Sequence, residues 1–75
     1  MTVTLPILKK GSTGKEVKTL QRLLNALGYS CGSSGVDGSF GNATLEAVKK
    51  YQKAKGLTVD GSVGSITWNS ILKNA

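Results

Sequence analysis

Histidine is absent from this 75-residue chain and cysteine occurs once. No disulfide can therefore close within it, and no Cys/His zinc set can form, so neither usual staple of a small domain is on offer. Without a histidine to activate it, Cys31 reads as a free thiol in a loop rather than a nucleophile. Acidic residues are scarce, four against ten Lys and Arg, which leaves a net charge of +6. No apolar run approaches the ~20 residues of a membrane span. Met1 to Pro6 carries neither the basic segment nor the apolar stretch of a secretory signal, so export is expected to be encoded elsewhere or to proceed without one. With 39% hydrophobic and only 19% charged residues, the chain is expected to fold, as one small domain.

What is present is organised by two internal echoes. Val17-Lys18-Thr19-Leu20-Gln21 returns as Val48-Lys49-Lys50-Tyr51-Gln52, 31 positions later. Val36-Asp37-Gly38-Ser39-Phe40-Gly41 returns as Val59-Asp60-Gly61-Ser62-Val63-Gly64 after 23 positions, and Thr44 and Thr67 follow at matching places. The unit is a helix with a V-K-x-x-Q signature, a connector, a V-D-G-S-x-G turn and the next helix. It occurs twice, sharing the middle helix.

Helical spacing places the first helix from near Thr13, with Thr13 and Glu16 as a capping box and Gly28 as its stop. Val17, Leu20, Leu23, Leu24 and Leu27 share one face, with Lys15, Lys18 and Arg22 opposite. A second helix is expected from Asn42 to Lys55, stopped by Gly56, with Ala43, Ala47, Val48, Tyr51 and Ala54 on its apolar arc and Thr44 within it. Lys49, Lys50 and Lys53 lie opposite with Glu46, and Leu45 falls outside the arc. A third, Ser65 to Lys73, is expected to bury Trp68, Ile71 and Leu72 and to leave Ile66 outside. Residues 1–10 read as an extended arm that lays Leu5, Ile7 and Leu8 on the bundle, and 11–75 as the helical domain. The fold class is all-α: a compact three-helix bundle with an internal two-fold repeat.

Gly11-Ser12-Thr13-Gly14 with Val17, Leu20-Gln21, Leu24 and Leu27-Gly28-Tyr29 resembles the opening of the bacterial peptidoglycan-binding domain, type 1. Asp37-Gly38-Ser39-Phe40-Gly41 with Thr44, Ala47-Val48 and Tyr51-Gln52 resembles its central block. Gly56-Leu57, Val59-Asp60-Gly61, Val63-Gly64 and Thr67-Trp68 resemble its closing block. The likeness runs from about Leu8 to Leu72, with Tyr51 in place of the more usual Phe and a Gly/Ser-rich loop around Cys31. It implies a three-helix module that adheres to the bacterial cell wall and is itself no enzyme. It further implies a tethered catalytic domain, such as an N-acetylmuramoyl-L-alanine amidase, a muramidase, a D,D-carboxypeptidase or a spore-cortex lytic enzyme of bacterial or phage origin. Relatives also occur as propeptide-like domains of zinc metalloproteases.

Four carboxylates could carry chemistry: Glu16, Asp37, Glu46 and Asp60. Glu16 is claimed by the cap and Glu46 sits among lysines. Asp37 and Asp60 occupy equivalent turns, where a glycosidase-like pair is conceivable, but an Asp in a D-G turn usually bonds its own backbone. The turns lack the alternating carboxylates of a calcium loop. Gly38, Gly41, Gly61 and Gly64 are expected where a turn needs positive φ or close backbone approach. Trp68 and Tyr51 lie on buried arcs, Gln21 and Gln52 at arc edges where they bond backbone between helices, and Phe40 either plugs the core as Val63 does or faces a groove.

The expected site is a shallow groove beside the D-G-S-x-G turns and the loop after the first helix, lined by Tyr29, Asp37, Phe40, Gly41 and Thr44. Peptidoglycan is the expected ligand, bound at the wall by a monomer with no cofactor, no metal, no nucleic acid and no membrane insertion. Two other readings stay open. The lysine stripes suit a DNA-binding three-helix domain, although Arg is single and base-reading side chains are few. Leu45 and Ile66 would serve a regulatory domain that docks on its parent enzyme.

Overall fold

A computed structural model describes residues 7–32 and 35–74 of the chain. Three helices follow in order, α1 (Lys15–Ala26), α2 (Asn42–Ala54) and α3 (Ser65–Asn74). Among the described residues the only extended pairing is two isolated antiparallel bridges, Leu8 with Val63 and Thr13 with Ser39. No helix there is long and apolar enough to cross a membrane.

α1 packs against both other helices, because Val17, Leu20 and Leu24 repeat at helical spacing and are fully buried. Ala47, Val48 and Tyr51 of α2 and Trp68 and Ile71 of α3 complete the core with Leu8, Cys31, Phe40 and Val63. Three expected core residues are not in it. Leu72 is 48% exposed, since it is turned ~100° from its neighbour Ile71, which points straight into the core. Ala43 and Ala54 are exposed, one in the first turn of α2 and one at its last residue, beyond the packed middle of that helix. Ile66 stands out at 72% exposure, as its position opposite Trp68 requires.

Both long helices stop on a glycine by the same pair of bonds. Gly28 N–H donates to Asn25 O (3.1 Å) and Tyr29 N–H to Leu24 O (2.8 Å); Gly56 N–H donates to Lys53 O (3.3 Å) and Leu57 N–H to Gln52 O (2.8 Å). The start of α1 differs from expectation. Gly14 is the N-cap, and no side chain caps it. Thr13 instead pairs its backbone with Ser39 in an antiparallel bridge, one residue before the cap.

The segment before α1 ties the two glycine-rich turns together. Leu8 exchanges backbone bonds with Val63 (3.2 and 2.7 Å), and further along Gly11 N–H donates to Phe40 O (2.9 Å), Phe40 N–H to Ser12 O (2.9 Å) and Gly14 N–H to Gly38 O (3.0 Å). Leu8 is buried and Ile7 is 68% exposed; Leu5 lies outside the described residues.

Candidate functional site: two glutamine-centred turns and their clefts

Each D-G-S turn is built around a buried glutamine from the preceding helix. The Gln21 carboxamide oxygen accepts from the backbone N–H of Asp37 (3.0 Å) and Gly38 (2.9 Å). Its nitrogen donates among Asp37 Oδ1 (2.9 Å), Ser39 O (3.0 Å) and Thr44 Oγ1 (3.0 Å). Gln52 repeats the arrangement: its nitrogen reaches Asp60 Oδ1 (3.0 Å), Ser62 O (2.9 Å) and Thr67 Oγ1 (3.2 Å), and its oxygen accepts from Gly61 N–H (3.1 Å). Gln21 and Gln52 are both 1% exposed, so these bonds form away from water, where an unpaired amide would be costly. The glutamines thus bond backbone in the connectors between helices, as expected, and the turn aspartates and helix threonines as well.

Each aspartate is held by its own turn. Asp37 Oδ1 also accepts from Ser39 N–H, and Asp60 Oδ1 from Ser62 N–H, both at 2.9 Å. These amide bonds, and next the glutamine bonds, hold both carboxyls below the usual carboxylate range. Gly38 and Gly61 make the turn possible. Their φ values are +79° and +74°, and a Cβ on Gly61 would lie 2.6 Å from Leu45 Cδ1. Leu45 is partly buried, packed against the core beside this turn.

Gly41 and Gly64 do not follow the expected reason. Neither has positive φ, and an added Cβ would meet nothing within 4 Å at either. Both begin a helix: Gly41 O accepts from Leu45 N–H (3.0 Å) and Gly64 O from Trp68 N–H (2.9 Å). Neither backbone conformation nor packing demands a glycine there.

A cleft of about 210 Å³ opens at the head of α2, lined by Cys31, Asp37, Ser39, Gly41, Asn42, Ala43 and Thr44. It gathers three of the five expected lining residues: Asp37, Gly41 and Thr44. Phe40 is not among them; at 1% exposure it is a core residue beside the turn. Tyr29 is half-buried away from this cleft, its ring edge-on to Tyr51 with centroids 5.4 Å apart. The additional aromatic hydroxyl at Tyr51 is used inside the fold, 2.7 Å from Ser70 Oγ. Four lining residues were missed: Cys31, and Ser39, Asn42 and Ala43, whose position within or just after the D-G-S-x-G turn was the signal that could have found them.

Cys31 also lines the cleft: it is a free loop thiol, as expected, but a buried one. It is 3% exposed, its N–H donates to Asn25 Oδ1 (3.1 Å), and burial pushes its thiol pKa up. Asp60 lies in a different cleft, at the head of α3. The two aspartates therefore do not share a crevice. Among the described residues no group of three or more Cys, Asp or Glu could hold a metal. The arrangement suits holding a ligand.

The family model described as "Putative peptidoglycan binding domain" matches residues 13–71. The chain is 51% identical over 61 residues to the N-acetylmuramoyl-L-alanine amidase CwlL of Bacillus licheniformis, covering 81% of this chain but 17% of that amidase. It therefore spans a short piece of such a relative. Among solved structures, the SleB N-terminal domain superposes with a TM-score of 0.88 at 33% identity, covering 97% of each chain. The Burkholderia AP3 phage endolysin matches with a TM-score of 0.84 at 34% identity over 95% of this chain and 26% of the endolysin. Sequence match and shared three-helix architecture agree, and the chain belongs to the peptidoglycan-binding domain family.

Proposed function

We propose that this domain holds an attached cell-wall hydrolase, such as an N-acetylmuramoyl-L-alanine amidase, on its insoluble substrate, and that the cleft at the head of α2 is where the wall is gripped. The domain binds and the attached domain cuts. Tethering to a polymer raises the local concentration of substrate without any new catalytic group. The place of action is the bacterial wall, outside the membrane, with the domain working as a single copy and reading no nucleic acid.

One observation carries the assignment of the cleft. Gly41 stands in an ordinary extended conformation (φ −102°, ψ −163°) with open space where a side chain would be. A serine there would cap α2 better, so leaving the position bare keeps the cleft open at the expense of helix stability. Asp37, exposed and ionised, offers a hydrogen-bond acceptor at the cleft wall, and Ser39 and Asn42 add polar groups. The net charge of +6 draws the domain toward anionic wall polymers at long range, a pull that salt weakens.

Sedimentation with purified peptidoglycan in moderate salt tests the reading. The folded domain is expected to pellet with the wall, and Asn42→Trp, which covers the cleft from an exposed position, is expected to stay largely in the supernatant. A wild-type domain that stays soluble in the presence of wall would overturn the proposal.

A further inference from the structure

The cleft at the head of α3, about 380 Å³, is the counterpart of the first by the internal repeat. Six lining positions of the first cleft, shifted by 23, are lining positions of the second. Asp60 and Ser62 supply the turn, Gly64 the bare position, Ser65 the first helical residue, and Ile66 and Thr67 the two that follow it. The buried glutamine that shapes each turn is repeated too, and so is the glycine that nothing in the fold requires. A duplication kept only for scaffolding accounts for the glutamine and the D-G pair, but not for Gly64.

We propose that this second cleft is also a wall-binding site and that it takes the stem peptide of peptidoglycan, so that one domain grips two stems. This rests on the wall-binding reading above. The chemistry of the lining selects peptide over glycan. A sugar ring is usually held by laying its C–H face on an aromatic ring, and no aromatic side chain lines either cleft. The second cleft instead has an aliphatic side made by Ile7, Leu57 and Ile66, which suits the methyl groups of alanyl residues. Asp60 is exposed and, among the described residues, both bonds of its carboxylate fall on Oδ1, which leaves Oδ2 to accept from a ligand N–H. Ile66, exposed at 72%, is thereby given an apolar ligand to cover. The first cleft has Ala43 at the matching place and is smaller, so the two sites differ in volume while sharing one plan.

The test is amide shift mapping by NMR on the isotope-labelled domain, which is used whole. One titrant is glycan-free stem peptide released from purified wall by an amidase; the other is peptide-free glycan strands. Stem peptide is expected to shift the amides of Ile66 and Thr67 as well as those of Ala43 and Thr44, and glycan strands to shift neither set. Ser65→Trp is expected to silence the α3 set alone and, since linked sites gain from effective concentration, to weaken retention on intact wall by about tenfold or more. Gly64→Ser serves as the second variant, because a serine at the head of a helix favours folding; a several-fold loss of retention is expected with an unchanged thermal transition. Shifts confined to the α2 cleft, or a response to glycan in place of peptide, would overturn the proposal while leaving wall binding intact. A wild-type domain that fails to sediment with wall at all would remove the underlying reading instead.

Discussion

The side chain of Gln21 and the turn at Asp37 are interlocked. The carboxamide oxygen accepts from Asp37 N–H at 3.0 Å while its nitrogen donates to Asp37 Oδ1 at 2.9 Å. One side chain thereby clamps a turn sixteen residues away, and Gln52 holds the turn at Asp60 in a related way, donating to Asp60 Oδ1 and accepting from Gly61 N–H. Replacing either glutamine with methionine keeps the volume and removes every one of these bonds. The cost is expected at about 2–4 kcal/mol per site, since buried turn amides are left unpaired. Chemical denaturation of Gln21→Met and Gln52→Met checks it; a loss below about 0.5 kcal/mol would show that the turns form without their glutamines.

Acid should loosen both turns. Folding lowers the carboxyl pKa of Asp37 and Asp60, so their ionised forms favour the folded state. That contribution is complete above the unfolded aspartate value of about 3.9 and is lost as pH falls through the lower folded values. Melting curves of wild type and the Asp37→Asn, Asp60→Asn double variant should therefore lie apart at pH 6 and converge toward pH 2.5. A gap that stays constant across that range would contradict the account.

The four turn glycines should separate into two classes. Gly61→Ala places a methyl group at positive φ and against Leu45, and is expected to cost about 1–3 kcal/mol. Gly41→Ser meets open space and adds a cap, and is expected to be neutral or stabilising by a few tenths of a kcal/mol while weakening wall binding. Thermal unfolding and wall sedimentation of the same two proteins make the comparison.

The thiol of Cys31 should behave as a buried one. With 3% exposure and a raised pKa, it is expected to react with an aromatic disulfide reagent at pH 8 at least about a hundredfold more slowly in the folded domain than in denaturant. Equal rates would place the thiol in solvent.

Much of the fold was legible because helix faces follow from periodicity. Val17, Leu20 and Leu24, then Val48 and Tyr51, declare their burial by spacing, and Gly28 and Gly56 mark helix ends by the conformation only glycine takes readily. The start of α1 was not legible, because the fate of Thr13 depends on Ser39, a partner that no local pattern reveals. Leu72 and Ala54 looked apolar enough for the core, but burial depends on which turn of the helix meets a neighbour. At the site, the repeat pointed to the D-G-S-x-G turns, and three of five chosen residues do line the cleft. Phe40 stands beside the turn and Tyr29 beside the loop after the first helix, but the core claims one and Tyr51 the other. The role of Gln21 needed three dimensions, since its partners lie between sixteen and twenty-three residues away.

The most direct measurement is a binding isotherm of the labelled domain on intact, purified peptidoglycan at fixed ionic strength near 0.15 M, for wild type beside Asn42→Trp. Saturable binding by the wild type, with affinity reduced about tenfold or more in a variant that melts at the same temperature, is the predicted result. Equal isotherms for the two proteins would contradict the account, because the wall would then be held somewhere other than the cleft at the head of α2.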